Sequence, residues 1–201
     1  MRGAVAHLQR ADPVIARIIA AVGPCRISYT EPVVGSLVRS IIYQQLSGRV
    51  ASVIHGRLVA LTGEPVRPSA ILRLTPEQMR SAGLSQQKAA YIRDLAERAR
   101  SIGFPRLPQL SDDEVIERLT VVKGVGVWTA QMFLIFSLRR PNVLPVGDLG
   151  VRMAIRNCYS LADLPSPKEM QAIAEPWHPW CSAASWYLWR SLELKPSDPG
   201  V

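Results

Sequence analysis

The stretch Leu119-Thr-Val-Val-Lys-Gly-Val-Gly-Val-Trp-Thr-Ala130 sets two glycines, Gly124 and Gly126, between two segments of helical character. Glycines in a tight turn permit positive φ and let another backbone come close. The amides that open the second helix lack intrahelical acceptors and lie at the positive end of its dipole. That arrangement suits capture of a phosphate through main-chain N–H groups, with Lys123 beside the turn adding charge. Gly-x-Gly between helices also fits an ordinary close-packed helical turn, so the pattern alone leaves both readings open. The other candidate is Asp148, ahead of Leu149-Gly-Val-Arg152, whose spacing by itself reads as the N-cap of a helix.

The composition narrows the partners. A chain of 201 residues, 48% hydrophobic and 20% charged, is sufficient for one globular unit or two small lobes and is not that of a disordered protein. The net charge of +8 makes a polyanion the first partner to consider. The basic residues are 20 Arg and 4 Lys, which favours planar bidentate donors to phosphate but equally fits a GC-rich genome. Cys25, Cys158 and Cys181 are too far apart for a metal ligand set or a disulfide framework, which points to a reducing compartment. His7, His55 and His178 are likewise scattered, so no metal site is expected. Arg17 interrupts the apolar run Val14 to Val22, leaving neither a signal segment nor a membrane span. The expected setting is intracellular: the nucleoid-bearing cytoplasm of a prokaryote, or the nucleus of a eukaryote.

Start signals recur along the chain without alternating β-branched runs, predicting an all-α fold of about ten helices. They include Asp12-Pro13, Glu31-Pro32, Ser47, Ser85, Ser166-Pro167, and the capping boxes Thr75-Pro-Glu-Gln78 and Ser111-Asp-Asp-Glu114. A last helix is expected from about Pro179 to Leu194. No composition change marks a domain boundary, so residues 1–201 read as one unit, with the hairpin at about 119–138. A helix from Val127 to Leu138 would carry the chain about 18 Å from the glycine turn. The nine residues Arg139 to Gly147 could span roughly 30 Å extended, enough for Asp148 to return toward the turn.

Five ordered segments carry a family resemblance. They are Arg39-Ser-Ile-Ile-Tyr-Gln-Gln-Leu-Ser47, Gly83-Leu-Ser-Gln-Gln-Lys-Ala-Ala-Tyr-Ile-Arg-Asp-Leu-Ala96, the hairpin, Leu144-Pro-Val-Gly-Asp-Leu-Gly-Val-Arg152, and Trp177-His-Pro-Trp-Cys-Ser-Ala-Ala-Ser-Trp-Tyr-Leu-Trp-Arg190. Together they resemble the 3-methyladenine DNA glycosylase II family of the helix-hairpin-helix glycosylases. The resemblance implies a two-lobed helical fold, its lobes built from non-contiguous helices, with a cleft holding Asp148 and no N-terminal β domain. It implies excision of alkylated purines such as 3-methyladenine and 7-methylguanine from double-stranded DNA and leaves hypoxanthine and ethenoadenine open; a monomer is the default.

By the same resemblance Asp148 is the essential aspartate, serving as base for the attacking water or as an electrostatic stabiliser of the sugar cation. The spacing of Arg152, four residues after Asp148, fits a pair with Asp148, a phosphate contact or a solvated helix surface alike. Gln44 and Gln45 would probe the minor groove, with Gln45 wedging the stack when the base turns out. Lys123, Gly124, Gly126 and Thr129 would contact DNA, while Trp128, Trp189, Met132 and Leu149 would line the base pocket. No cofactor is expected; a monovalent cation on hairpin carbonyls is the one ion left open. Three positions depart from the family pattern: Gly147 replaces a frequent second carboxylate, Cys181 a frequent Arg, and Trp128 stands where strand-cutting relatives carry a catalytic lysine. The last excludes a Schiff base from that site. The alternatives are a non-catalytic hairpin module for binding DNA and a glycosylase for oxidised or mismatched bases.

Overall fold

A computed structural model describes residues 2–194. Among them the chain forms twelve α-helices and two short 3-10 helices, and no strand. The helices are α1 (Arg2–Ala11), α2 (Pro13–Val22), α3 (Val34–Tyr43), α4 (Gly48–Thr62), α5 (Pro68–Arg73), α6 (Pro76–Ser81), α7 (Gln86–Ile102), α8 (Asp112–Thr120), α9 (Val127–Phe136), α10 (Leu149–Cys158), α11 (Pro167–Ala174) and α12 (Cys181–Ser191). The sequence expectation of about ten falls short in part because α5 opens without a side-chain cap. Phe104–Gln109, which holds Pro105 and Pro108, is a 3-10 helix.

Most starts follow from local chemistry. Ser47, Ser85 and Asp148 each accept a first-turn amide, and Thr75, Ser111 and Ser166 complete reciprocal capping boxes with Gln78, Glu114 and Glu169. Glu31-Pro32 is two residues early, because α3 begins only at Val34 and its N-cap Val33 supplies no oxygen. The final helix opens at Cys181 and not at Pro179, with Trp180 as its N-cap.

The chain divides into two compact units, Met1–Ser28 with Arg139–Val201, and Tyr29–Leu138. In the first, α2 packs on α1 and α12, and α10 on α12. Their core includes Leu8, Ile15, Ile155, Trp177, Tyr187 and Leu188. Asp12 is buried there with its charge satisfied: Oδ1 accepts the amides of Val14 and Ile15, and Oδ2 accepts Tyr159 Oη and Trp177 Nε1. Burial and the Asp12 carboxylate both push the Tyr159 phenol upward. Burial also raises the Cys181 thiol to about 12, making it a packing group and not a nucleophile.

In the second unit α3 packs against α4, α7 and α9, α7 also against α5 and α6, and α8 against α9. Leu37, Ile41, Ile92, Leu95, Leu119 and Leu134 are fully buried there. No helix among the described residues is long and apolar enough to cross a membrane.

Candidate active site

Helices α8 and α9 with the turn between them form the expected hairpin. The second helix ends at Phe136, two residues before the expected Leu138, where Leu138 N–H bonds back to Phe133 O. The two glycines differ in why they are glycine. Gly124 has φ +79°, and a Cβ there would lie 2.1 Å from the Tyr91 ring, so conformation and packing both forbid a side chain. Gly126 has φ −93°, and a Cβ would meet nothing within 4 Å. The fold makes no demand at Gly126; the demand fits a ligand approaching from outside. Gly126 is the N-cap of α9 and offers no capping oxygen, so the dipole end of that helix is open beside exposed Val127 and Trp128, 54% and 45% accessible. Amides at such a helix start have the geometry and dipole to accept an anion.

The turn is tied from behind. Asp94 on α7 accepts the Lys123 amide at 2.9 Å and the Arg98 guanidinium at 3.0 Å. Burial acts to raise its carboxyl, but these two hydrogen bonds together with the charges of Arg98 and Lys123 outweigh it and hold the pKa below the ordinary aspartate value. Because the folded value is depressed, this tether is intact above the unfolded aspartate pKa and is lost only as pH falls through the folded one.

Asp148 lies in the first unit. It caps α10, with Oδ1 accepting Val151 N–H at 2.7 Å and Trp189 Nε1–H at 2.9 Å, and is only 7% exposed. Gly150 makes this possible: a Cβ there would stand 3.1 Å from both Asp148 Oδ1 and Trp189 Cδ1. A carboxylate fixed by a backbone amide and an indole cannot swing, which suits it to stabilising charge at a set position.

Residues 38–179 match the family described as HhH-GPD superfamily base excision DNA repair protein. The chain belongs to that superfamily. As a member of it, the protein is 34% identical over 196 residues to DNA-3-methyladenine glycosylase 1 of Schizosaccharomyces pombe, covering 94% of this chain and 86% of that one. It is 33% identical over 166 residues to a Bacillus subtilis protein described as a putative DNA-3-methyladenine glycosylase, covering 78% of this chain and 58% of that longer one. A solved Schizosaccharomyces pombe 3-methyladenine DNA glycosylase in complex with abasic DNA superimposes with a TM-score of 0.83 at 33% identity, covering 96% and 97% of the two chains.

Within this HhH-GPD protein the expected site residues separate into two groups. Asp148, Leu149 and Trp189 belong to the first unit; Gln44, Gln45, Lys123, Gly124, Gly126, Trp128, Thr129 and Met132 belong to the second. Thr129 is 4% exposed, and its hydroxyl faces the Gln44 amide. Gln44 donates Nε2–H to Gly124 O at 2.9 Å and so braces the hairpin. Gln45 is exposed and adopts φ +57°, a left-handed conformation that costs a non-glycine residue about 1–2 kcal/mol.

Among the expected pocket residues, Trp128 and Met132 sit one turn apart on α9, with Met132 half-buried. Leu149 is 58% exposed at the start of α10, and Trp189 is partly buried with its indole N–H committed to Asp148. Arg152 Nε donates to Pro165 O at 3.0 Å. The sequence reading overlooked Gly150, although a glycine in the first turn of a helix is itself a sign of close approach. Trp189→Phe removes one donor from the carboxylate at little cost in volume. Base release is expected to slow about tenfold with melting nearly unchanged, checked by single-turnover kinetics beside a thermal melt.

Proposed function

We propose that this chain is a monofunctional DNA glycosylase that hydrolyses the N-glycosidic bond of alkylated purines, 3-methyladenine and 7-methylguanine foremost, in base excision repair. The observation that carries the reading is Asp148, buried and oriented by Val151 N–H and Trp189 Nε1–H, in a chain whose hairpin presents an open helix start. Cleavage of the bond develops positive charge on the sugar. A fixed carboxylate stabilises that charge and can accept the proton of the attacking water. The products are the free base and an abasic site.

The hairpin amides around Gly126 would hold the sugar-phosphate backbone, with exposed Lys123 adding charge. Trp128 offers an exposed indole on which a positively charged methylated purine stacks more favourably than a neutral base. Its place at the lysine position of strand-cutting relatives supports hydrolysis without a lyase step. The residues also suit a monovalent cation on the hairpin. Val122 O accepts Val125 N–H and Gly124 O accepts the Gln44 amide, and each carbonyl keeps a second lone pair. Such an ion would fix the turn and reinforce its attraction for phosphate.

The deciding experiment is release of 3-methyladenine and 7-methylguanine from methylated duplex DNA, followed by alkali. Released bases with strand breaks only after alkali are expected. Breaks without alkali would overturn the monofunctional reading, and tight abasic-site binding without release of methylated, hypoxanthine or ethenoadenine bases would make the chain a hairpin DNA binder. Gln45 is the wedge in this scheme. Gln45→Ala is expected to slow release from duplex about tenfold while leaving single-stranded substrate within about twofold, since only the duplex must be opened at a cost of a few kcal/mol.

A further inference from the structure

Lys88 occupies an unusual place. It is the third residue of α7, where the helix dipole disfavours a cation, and the first turn of that helix holds no acidic residue to compensate. Its ammonium reaches across to the C-terminal end of α3, donating to Ile42 O at 2.6 Å and to Gln44 O at 2.7 Å. These carbonyls belong to the end of α3, which has lost its intrahelical donors, so the lysine acts as that helix's cap from another element. Burial lowers the Lys88 pKa, as expected for a cation drawn off the surface onto main-chain oxygens.

The residue it clamps is the one before the wedge. With Gln44 O held by Lys88 and Gln44 Nε2 held by Gly124 O, the chain is fixed on both sides of that residue. It emerges with Gln45 exposed in its left-handed conformation. One turn further along α7, the Tyr91 ring fills the space a side chain at Gly124 would need, and Gln87 donates to the Tyr91 hydroxyl at 2.7 Å. Another turn on, Asp94 takes the Lys123 amide. Residues 88, 91 and 94, at a spacing that keeps them on one helix face, therefore touch in order the wedge loop, the hairpin glycine and the hairpin amide.

We propose that Lys88 is a positioning residue that couples the Gln45 wedge to the phosphate-holding hairpin through Gln44, so that grip and wedge share one mount on α7. The inference rests on the wedge role given to Gln45 above. It implies that loosening Lys88 impairs the opening of duplex DNA and spares the chemistry on a base already out of the stack.

The test uses the whole chain with Lys88→Met, which keeps the aliphatic stem and removes the donors. The substrates are methylated duplex DNA, the same DNA denatured to single strands, and a duplex carrying 2-aminopurine beside an abasic analogue, whose fluorescence reports opening. Release from duplex is expected to fall about tenfold, the loss of one charge-assisted pair. The fluorescence rise should be lost, while release from single strands and affinity for DNA stay within about threefold. In the Lys88→Met, Gln45→Ala double variant, duplex release should be no slower than in the slower single variant.

Additive losses, or equal slowing on both substrates, would show Lys88 to be merely structural and overturn the proposal. An unaffected Gln45→Ala variant would remove the wedge itself, and this proposal with it, whatever Lys88→Met does. If Lys88→Met loses its helical circular dichroism, Gln44→Met cuts the next link and must show the same split between substrates.

Discussion

Asp148→Asn is expected to release methylated purines about 100- to 1,000-fold more slowly than the wild type, while binding abasic-site duplex within about threefold of it. The substitution isolates charge from structure. Asparagine keeps an oxygen in the place where Oδ1 accepts Val151 N–H, and Asn serves as well as Asp at a helix N-cap, so α10 should persist. The Trp189 indole can also donate to an amide oxygen. What disappears is the negative charge facing the sugar cation and the capacity to take a proton from water. Equal release rates for the two proteins would leave Asp148 as a helix cap alone. A rate loss accompanied by a collapsed melting temperature would show that the cap, and not the chemistry, had been removed.

The second large effect separates the two hairpin glycines. Gly124→Ala is expected to destabilise the protein by about 3 kcal/mol, because an alanine must adopt φ +79° and displace the Tyr91 ring that would lie 2.1 Å from its Cβ. For a chain of this size that lowers the melting temperature by roughly 6–12 °C. Gly126→Ala is expected to leave melting within about 2 °C, since its φ is ordinary and its Cβ meets nothing, yet to weaken duplex binding about tenfold or more. Thermal melts read against DNA titrations at fixed salt decide the matter. Unchanged binding by Gly126→Ala would mean that no phosphate approaches that position.

These contrasts show what the sequence could and could not disclose. Ser47, Thr75, Ser85, Ser111 and Ser166 announce their helices because a cap acts within three residues of itself. The hairpin turn and the N-cap at Asp148 were visible for the same reason, while any role for Asp148 beyond the cap came from the family resemblance and not from its spacing. Gln44 and Gln45 are adjacent and chemically identical, and nothing local says that one faces inward and the other outward. That division is set by Gly124, 80 residues away from Gln44 in the chain. Nor does anything local say that the Thr129 side chain packs inward at the start of α9. Gly150 was legible only as an oddity, since its reason, the Trp189 indole, arrives from α12.

The interleaving of the two units in the chain bears on the order in which they assemble. Helices α1 and α2 must wait for α10 to α12, across the whole of residues 29–138, before their shared core can close. Closing so long a loop is entropically slow compared with the nearer pairings of α3 to α9. A chain emerging from the ribosome thus exposes its complete hairpin and wedge loop well before Trp189 exists to fix Asp148. A nascent or prematurely ended chain would carry the hairpin and Gln45 without the indole donor that orients Asp148.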